Sequence, residues 1–216
     1  MPTCTNEKFR IATSHTIGSY ILPGEFINTI QKQINKLIKL DIAPCNEIIK
    51  AVKSRKIDLG FIEYEVDDAA LSCQEWINDE LVLFSRKELP SPITKEDIGS
   101  YKLLCGEVES IDRTLIDTYF REQNMHRNDF HSMSELANPT AILQNIKWSN
   151  IHDSVTSIAF ISKVAIEYEL KHKKFYFSLI NNMPLYKKFY IIYRNDSIYS
   201  QDIKKICDAL LTQSQD

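Results

Sequence analysis

The chain has 216 residues, 44% hydrophobic and 25% charged, with 26 Lys and Arg against 29 Asp and Glu, a formal net charge of -3. That length supports one large domain or two small ones with real cores, and the mixed charge lacks the basic footprint of a domain that grips phosphates by itself. The five cysteines (Cys4, Cys45, Cys73, Cys105 and Cys207) are widely spaced with no CxxC pair, which argues against a disulfide framework or a zinc site and fits reduced thiols in the cytoplasm.

Short β-like runs alternate with helical ones. Phe9 to Thr13 reads as a strand, and Ile17, Ile21, Leu22, Phe26 and Ile30 then fall on one helical face. Pro23-Gly24 should kink that helix or restart it. Lys36 to Ala43 reads as a strand covered on one face. Pro44-Cys45-Asn46 opens a helix carrying Ile48, Ile49 and Val52, with Asn46 as its expected N-cap. Ile57 to Glu63 is a buried strand, and Leu81 to Phe84 another. "KELPSPITKEDIGS", Lys87 to Ser100, is the best linker candidate, with two prolines and mixed charge. The alternation then resumes: strands at "YKLLCG", "FHSMSE" and "SIAFIS" precede helices at Ile111–Arg121, Asn138–Ile146 and Lys163–Leu170. A basic run, Lys171, Lys173 and Lys174, reads as a solvated helix end. Lys187 to Arg194 is strongly β-like, and Ile203 to Leu211 is a terminal helix. The order predicts an α/β fold with a mainly parallel sheet in two blocks, and a ligand cleft between them. No apolar run is long enough to span a bilayer, and the N-terminal residues show no signal-peptide pattern, so the expected location is cytoplasmic.

Three junctions could carry chemistry. In "ATSHTIGSYILP", Ser14, His15 and Thr16 stand where a strand becomes a helix. The first N–H groups of a helix have no intrahelical partner and carry partial positive charge, so this junction can receive an anion. The alternative is that Ser14 or Thr16 only caps the helix. Asn138-Pro139-Thr140 is a second helix start, with Asn as cap and Pro at the first helical position. In "CGEVESIDRT" either Ser110 or Asp112 could cap the following helix. Glu63 ends a strand and, if it faces a ligand, suits the ammonium group of an amino acid or another zwitterion. Enzyme signatures are lacking: there is no GxSxG, HExxH, Walker A or GxGxxG motif. His126 and His131 lie in a polar segment, His152 and His172 are isolated, and Cys105 has no resolving partner nearby in sequence. We therefore expect no catalytic residue, no metal and no cofactor.

Taken together, these segments resemble the effector-binding domain of LysR-type transcriptional regulators over nearly the whole chain. "FRIATSHTIGSYILP" is similar to the family's opening strand, hydroxyl loop and first helix. "EIIKAVKSRKIDLGFIE" resembles the next helix and its Asp-Leu-Gly strand, and "DELVLFSRKELP" the crossover into a second subdomain. "SELANPTAILQNI", "SIAFISKVAIEYEL" and "LYKKFYIIYRND" follow in family order. "ATSHT" looks closest to members that sense sulfur-metabolism effectors.

The resemblance implies two Rossmann-like subdomains hinged by two crossovers, like type 2 periplasmic binding proteins. The expected subdomains are residues 1–87 with 188–216, and residues 88–187. It implies an effector (a carboxylate, amino acid or sulfur metabolite) held by Ser14, His15, Thr16, Cys45, Asn46, Glu63, Ser110, Asn138 and Thr140. It also implies a homodimer or tetramer, pairing the first helix with a strand of its neighbour, and no membrane partner. Three departures stand out. Cys45 replaces the usual hydroxyl, and a thiol is a weaker donor. "WSNIHDSVTS" is longer than usual and lacks the family's glycines. The winged helix-turn-helix is not among these 216 residues, so DNA is expected to be reached only through a domain outside them. A solute-binding protein serving a transporter is the competing reading, and an enzyme on the same fold a third.

Overall fold

The computed structural model describes residues 5–34, 36–108 and 110–214, with side chains from Lys8 onward. Cys4 lies outside the described residues. Nine strands are described: β1 (Thr5–Thr13), β2 (Lys36–Ile42), β3 (Leu59–Ile62), β4 (Leu71–Ser85), β5 (Tyr101–Gly106), β6 (Ser132–Leu136), β7 (Thr156–Ser162), β8 (Tyr176–Ser178) and β9 (Leu185–Arg194). The α-helices are α1 (Glu25–Gln33), α2 (Cys45–Lys53), α3 (Ile111–Glu122), α4 (Pro139–Lys147), α5 (Glu167–Lys171) and α6 (Ser200–Gln213). The chain divides into two compact units, residues 1–78 with 188–216, and residues 79–187.

The first unit is built on parallel pairing. β1 pairs with β2 on one side and β3 on the other, both parallel, and β9 runs antiparallel to β3. The continuously buried run Ile11–Thr13 of β1 and the fully buried β3 fit strands flanked by helices. Phe9, Ile11, Phe61, Trp76, Phe189 and Ile191 form the core with Ile203, Ile206 and Leu210 of α6. Phe26 and Phe61 both approach the Trp76 ring, at centroid distances of 5.1 and 5.0 Å. The helical run after β1 does break at Pro23-Gly24. A π-helical turn, Ile17–Ile21, ends there, and α1 restarts behind Gly24, whose φ of 88° suits a residue without a Cβ. β2 has one covered side, where Ile38 packs against the core. It is an edge strand, and Leu37, Leu40 and Ile42 are exposed on it.

The second unit repeats the plan. β5 pairs parallel with β6 and β7, while β4 pairs antiparallel with β7 and with the three-residue β8. Leu81, Leu83, Leu103, Phe120, Met125, Ile158 and Phe160 fill its core. Tyr119 donates its hydroxyl to the carbonyls of Ile180 and Met183, at 3.0 and 2.7 Å, and burial pushes its phenol up to about 12.

Four local expectations need correction. Lys87–Ser100 is no linker: Leu89, Ile93 and Ile98 are buried in the core of the second unit, anchoring an otherwise polar, proline-rich stretch. The chain passes between units inside β4, at Asn78/Asp79, where the sequence reading divides it at 87/88. A strand continuing through the crossover leaves no turn signal there. Pro44, not Asn46, is the N-cap of α2; its φ of -60° and ψ of 145° bring the chain in extended, and its carbonyl accepts from Glu47 and Ile48 N–H at 3.0 and 3.1 Å. Lys163–Leu170 splits into a 3-10 turn, Lys163–Ile166, followed by α5.

Candidate functional site

In the first unit the parallel strands end together. Thr13 accepts from Ala43 N–H at 3.0 Å, and Ser14 N–H donates to the Phe61 carbonyl at 3.0 Å. The segments leaving β1, β2 and β3 therefore start from one edge of the sheet. Ser14-His15-Thr16, Cys45 and Glu63 all belong to that edge, which is where open α/β sheets receive ligands.

Ser14 is the residue at which strand becomes helix. Its carbonyl accepts from Gly18 N–H at 2.9 Å, and its hydroxyl accepts a long 3.5 Å contact from Ile17 N–H. The capping alternative thus holds for Ser14, weakly. Thr16 makes no capping bond. Among the described residues its hydroxyl has no hydrogen-bond partner, although Thr16 is only 2% exposed. The N–H groups of His15 and Thr16 likewise have no acceptor among the described residues, as the first groups of a helix must. His15 is half-buried, with Nδ1 3.3 Å from the Ser19 hydroxyl one turn later. Thr13, fully buried, donates to the Ser14 carbonyl at 2.7 Å and fixes the turn from below.

Cys45 is buried at the first position of α2, and Asn46 is exposed beside it. Glu63 is half-buried immediately after β3. Tyr64 belongs to this group and escaped the sequence reading. Its phenol is pushed up, chiefly by burial and then by the nearby Cys45 sulfur.

In the second unit Ser110 accepts from Arg113 N–H at 3.2 Å and caps α3, while Asp112 pairs with the buried ammonium of Lys187. Asn138 Oδ1 accepts from Ala141 N–H at 2.9 Å, and Pro139 occupies the first position of α4. Both caps are as the sequence suggested. Thr140 follows, half-buried. Both helix starts again succeed parallel strands, β5 and β6. The long "WSNIHDSVTS" segment is pinned by Arg86 and Lys87, which donate to the carbonyls of Ser149 and Asp153, each at 2.9 Å. His126, His131, His152 and His172 are exposed, and no cluster of three or more metal-ligating side chains occurs among the described residues. No helix among them is long and apolar enough to cross a membrane.

A mixed α/β chain whose strands end in hydroxyl-bearing, helix-opening turns is a small-molecule-binding architecture of the periplasmic-binding-protein-like type. The family model of the LysR substrate binding domain matches residues 5–215, and the chain belongs to that family. It is 28% identical over 145 residues to the "Uncharacterized HTH-type transcriptional regulator YeiE" of Escherichia coli strain K12, covering 66% of this chain and 48% of that protein. It is 26% identical over 209 residues to the "Probable RuBisCO transcriptional regulator" of Cyanophora paradoxa, covering 94% of this chain and 63% of that one. The match thus spans about half to two thirds of these relatives' length. Among solved structures, the effector binding domain of QuiR in complex with shikimate shares the fold with a TM-score of 0.72 at 18% identity, covering 98% of both chains. The Synechocystis PCC6803 CcmR regulatory domain in complex with 2-PG does so with a TM-score of 0.74 at 17% identity, covering 97% of this chain and 98% of that one.

Proposed function

We propose that this chain is the effector-sensing part of a LysR-type transcriptional regulator, and that it binds its effector without turning it over. The effector is a small carboxylate, an amino acid or a sulfur metabolite. In the first unit its anionic group docks on the turn of Ser14, His15 and Thr16, with Cys45, Asn46 and Glu63 around it. Ser110, Asn138 and Thr140 are the corresponding candidates in the second unit. The observation that carries this reading is the unused donor set at Ser14–Ile17: the unpartnered hydroxyl of a buried threonine, Thr16, and two helix-start N–H groups with no acceptor among the described residues. Glu63 beside that set favours a zwitterion over a plain anion. The small-molecule complexes of two fold neighbours, one with shikimate, support the same class.

Effector binding shifts the population between conformations of the assembled regulator and so alters its hold on DNA, which is contacted by a domain outside these residues. The assembly is a homodimer or a tetramer, working in the cytoplasm. Edge strand β2, with Leu37, Leu40 and Ile42 exposed, is the apolar surface best suited to self-association.

A thermal-shift screen against amino acids, sulfur metabolites and small carboxylates tests the proposal, because a ligand of the folded state raises the midpoint with its concentration. The compound it finds is then titrated calorimetrically into Ser14→Ala and Thr16→Ala. Loss of a hydrogen bond to a charged group should weaken binding by roughly tenfold or more in Thr16→Ala. Unchanged affinity in both variants would overturn the site.

A further inference from the structure

The first unit holds a second polar pocket at the other end of its sheet. Arg10 lies four residues before Ser14 on β1, about 13 Å along the strand at about 3.3 Å per residue. Asp58 immediately precedes β3 and pairs with Arg10 through three contacts: backbone N at 2.8 Å, Nε at 3.0 Å and Nη2 at 2.7 Å. Arg194 closes β9, which runs antiparallel to β3 and so ends beside Asp58. Arg194 holds Asp196 through Nε and Nη2, at 2.6 and 3.0 Å, and donates Nη1 to the Lys53 carbonyl at 2.7 Å. Arg55 approaches the same Asp196 with Nη2 at 2.5 Å. These side chains, with Ile57 and Ile198, line a small, open pocket of about 80 Å³.

Two aspartates hold three guanidinium groups in place, so the pocket lining carries three positive charges against two negative ones. Among the described residues, Arg10 Nη1 and Arg55 Nε and Nη1 have no acceptor, whereas every nitrogen of the Arg194 guanidinium does. The pocket therefore offers pre-positioned, charged donors of the kind that grip carboxylate or phosphate oxygens. Ile57, buried, and Ile198, 82% exposed, supply an apolar wall beside them. Arg55 is itself a costly choice. It stands just past the end of α2 with φ of 60°, where Lys56 N–H reaches back to the Ala51 carbonyl at 2.9 Å. That helix-ending position favours glycine.

We propose that this pocket is a second ligand site, separate from the Ser14–Ile17 turn, and that it binds a small organic oxyanion, a carboxylate or a phosphate ester. Arg55 and Arg10 supply the donors, Arg194 and the two aspartates hold the frame, and the two isoleucines take the ligand's short apolar portion. The partial exposure of both donor arginines makes binding sensitive to salt.

The test uses the 216-residue chain, with inorganic phosphate and succinate as probes and sodium chloride at matched ionic strength as control, read by thermal shift and by calorimetry. At least one probe should raise the midpoint beyond the chloride control. Phosphate alone would indicate a phosphate-bearing ligand, succinate alone a carboxylate. Arg55→Gly is the informative variant, since glycine adopts that backbone conformation without strain and the protein should stay folded. Its affinity for the active probe should fall roughly tenfold. Thr16→Ala should retain the response, which keeps this outcome independent of the effector turn. The proposal is overturned if neither probe exceeds chloride, if Arg55→Gly binds as well as the parent, or if Thr16→Ala abolishes the response.

Discussion

Replacing Gly18 by alanine tests the packing that holds the Ser14–Ile17 turn. A Cβ at Gly18 would sit 2.2 Å from Thr13 Oγ1 and 2.9 Å from Ile42 Cγ1, both well inside van der Waals contact. Ile42 is 48% exposed and can swing away. Thr13 is fully buried, and its hydroxyl is engaged with the Ser14 carbonyl, so moving it breaks that bond. Overpacking costs about 1–3 kcal/mol, and the lost hydrogen bond about 1 kcal/mol more. Alanine's better helix propensity returns about 1 kcal/mol. The net destabilisation is about 1–3 kcal/mol, a fall in the thermal midpoint of roughly 3–10 °C for a chain of this size. Differential scanning calorimetry or urea titration measures it. Removing the obstructing oxygen as well, in Thr13→Ala with Gly18→Ala, should cost less than the sum of the two single changes, by about 1 kcal/mol. A midpoint for Gly18→Ala at or above the parent's, or strict additivity in the double variant, would refute this account.

Two further outcomes concern the second unit. Burial pushes the Asp79 carboxyl up, against the contrary pull of the Ser162 hydroxyl, two backbone N–H groups and the Lys187 charge. A carboxyl raised in the folded state keeps its proton there longer than in the unfolded chain. Its contribution to stability is therefore greatest at low pH and is lost as pH climbs above the ordinary value of 3.8. The midpoint of Asp79→Asn minus that of the parent should consequently increase between about pH 4 and about pH 7; a difference that shrinks over that range would contradict the assignment. Asn138→Ala removes the 2.9 Å cap of α4 and should cost about 1 kcal/mol. Hydrogen exchange should show the loss as faster exchange in the first turn of α4, and unchanged protection there would argue against the cap.

Much of this was legible because local chemistry decided it. Asn138-Pro139 starts a helix wherever it stands before an apolar periodic run, and it does so here. The β-like runs at Phe9, Tyr101 and Lys187 carry enough buried apolar residues to form strands in any α/β setting. Residues 87–100 misled because prolines and charges dominate the composition, while three spaced apolar side chains decide where the segment lies. Asn46 looked like a cap because its side chain suits one, yet Pro44 sets the backbone entry two residues earlier. Tyr64 carried no signal, since its place beside Cys45 depends on two strands ending together. The arginine pocket was equally invisible: Arg10 meets Asp58 through the parallel pairing of β1 with β3, and Arg194 and Asp196 join them through the antiparallel pairing of β9 with β3.

The π-helical turn at Ile17–Ile21 has a consequence for how this loop can change in evolution. Leu22 N–H bonds to the Ile17 carbonyl at 2.9 Å, five residues back where an α-helix would reach four. The turn therefore carries one residue more than regular helix needs between the Ser14 junction and Pro23. Deleting Ser19 would let the segment relax to ordinary α-helix while β1 and α1 keep their places. It would also take away the hydroxyl beside His15 Nδ1. A single-codon deletion is thus a ready route for changing what stands beside His15 without rebuilding the scaffold.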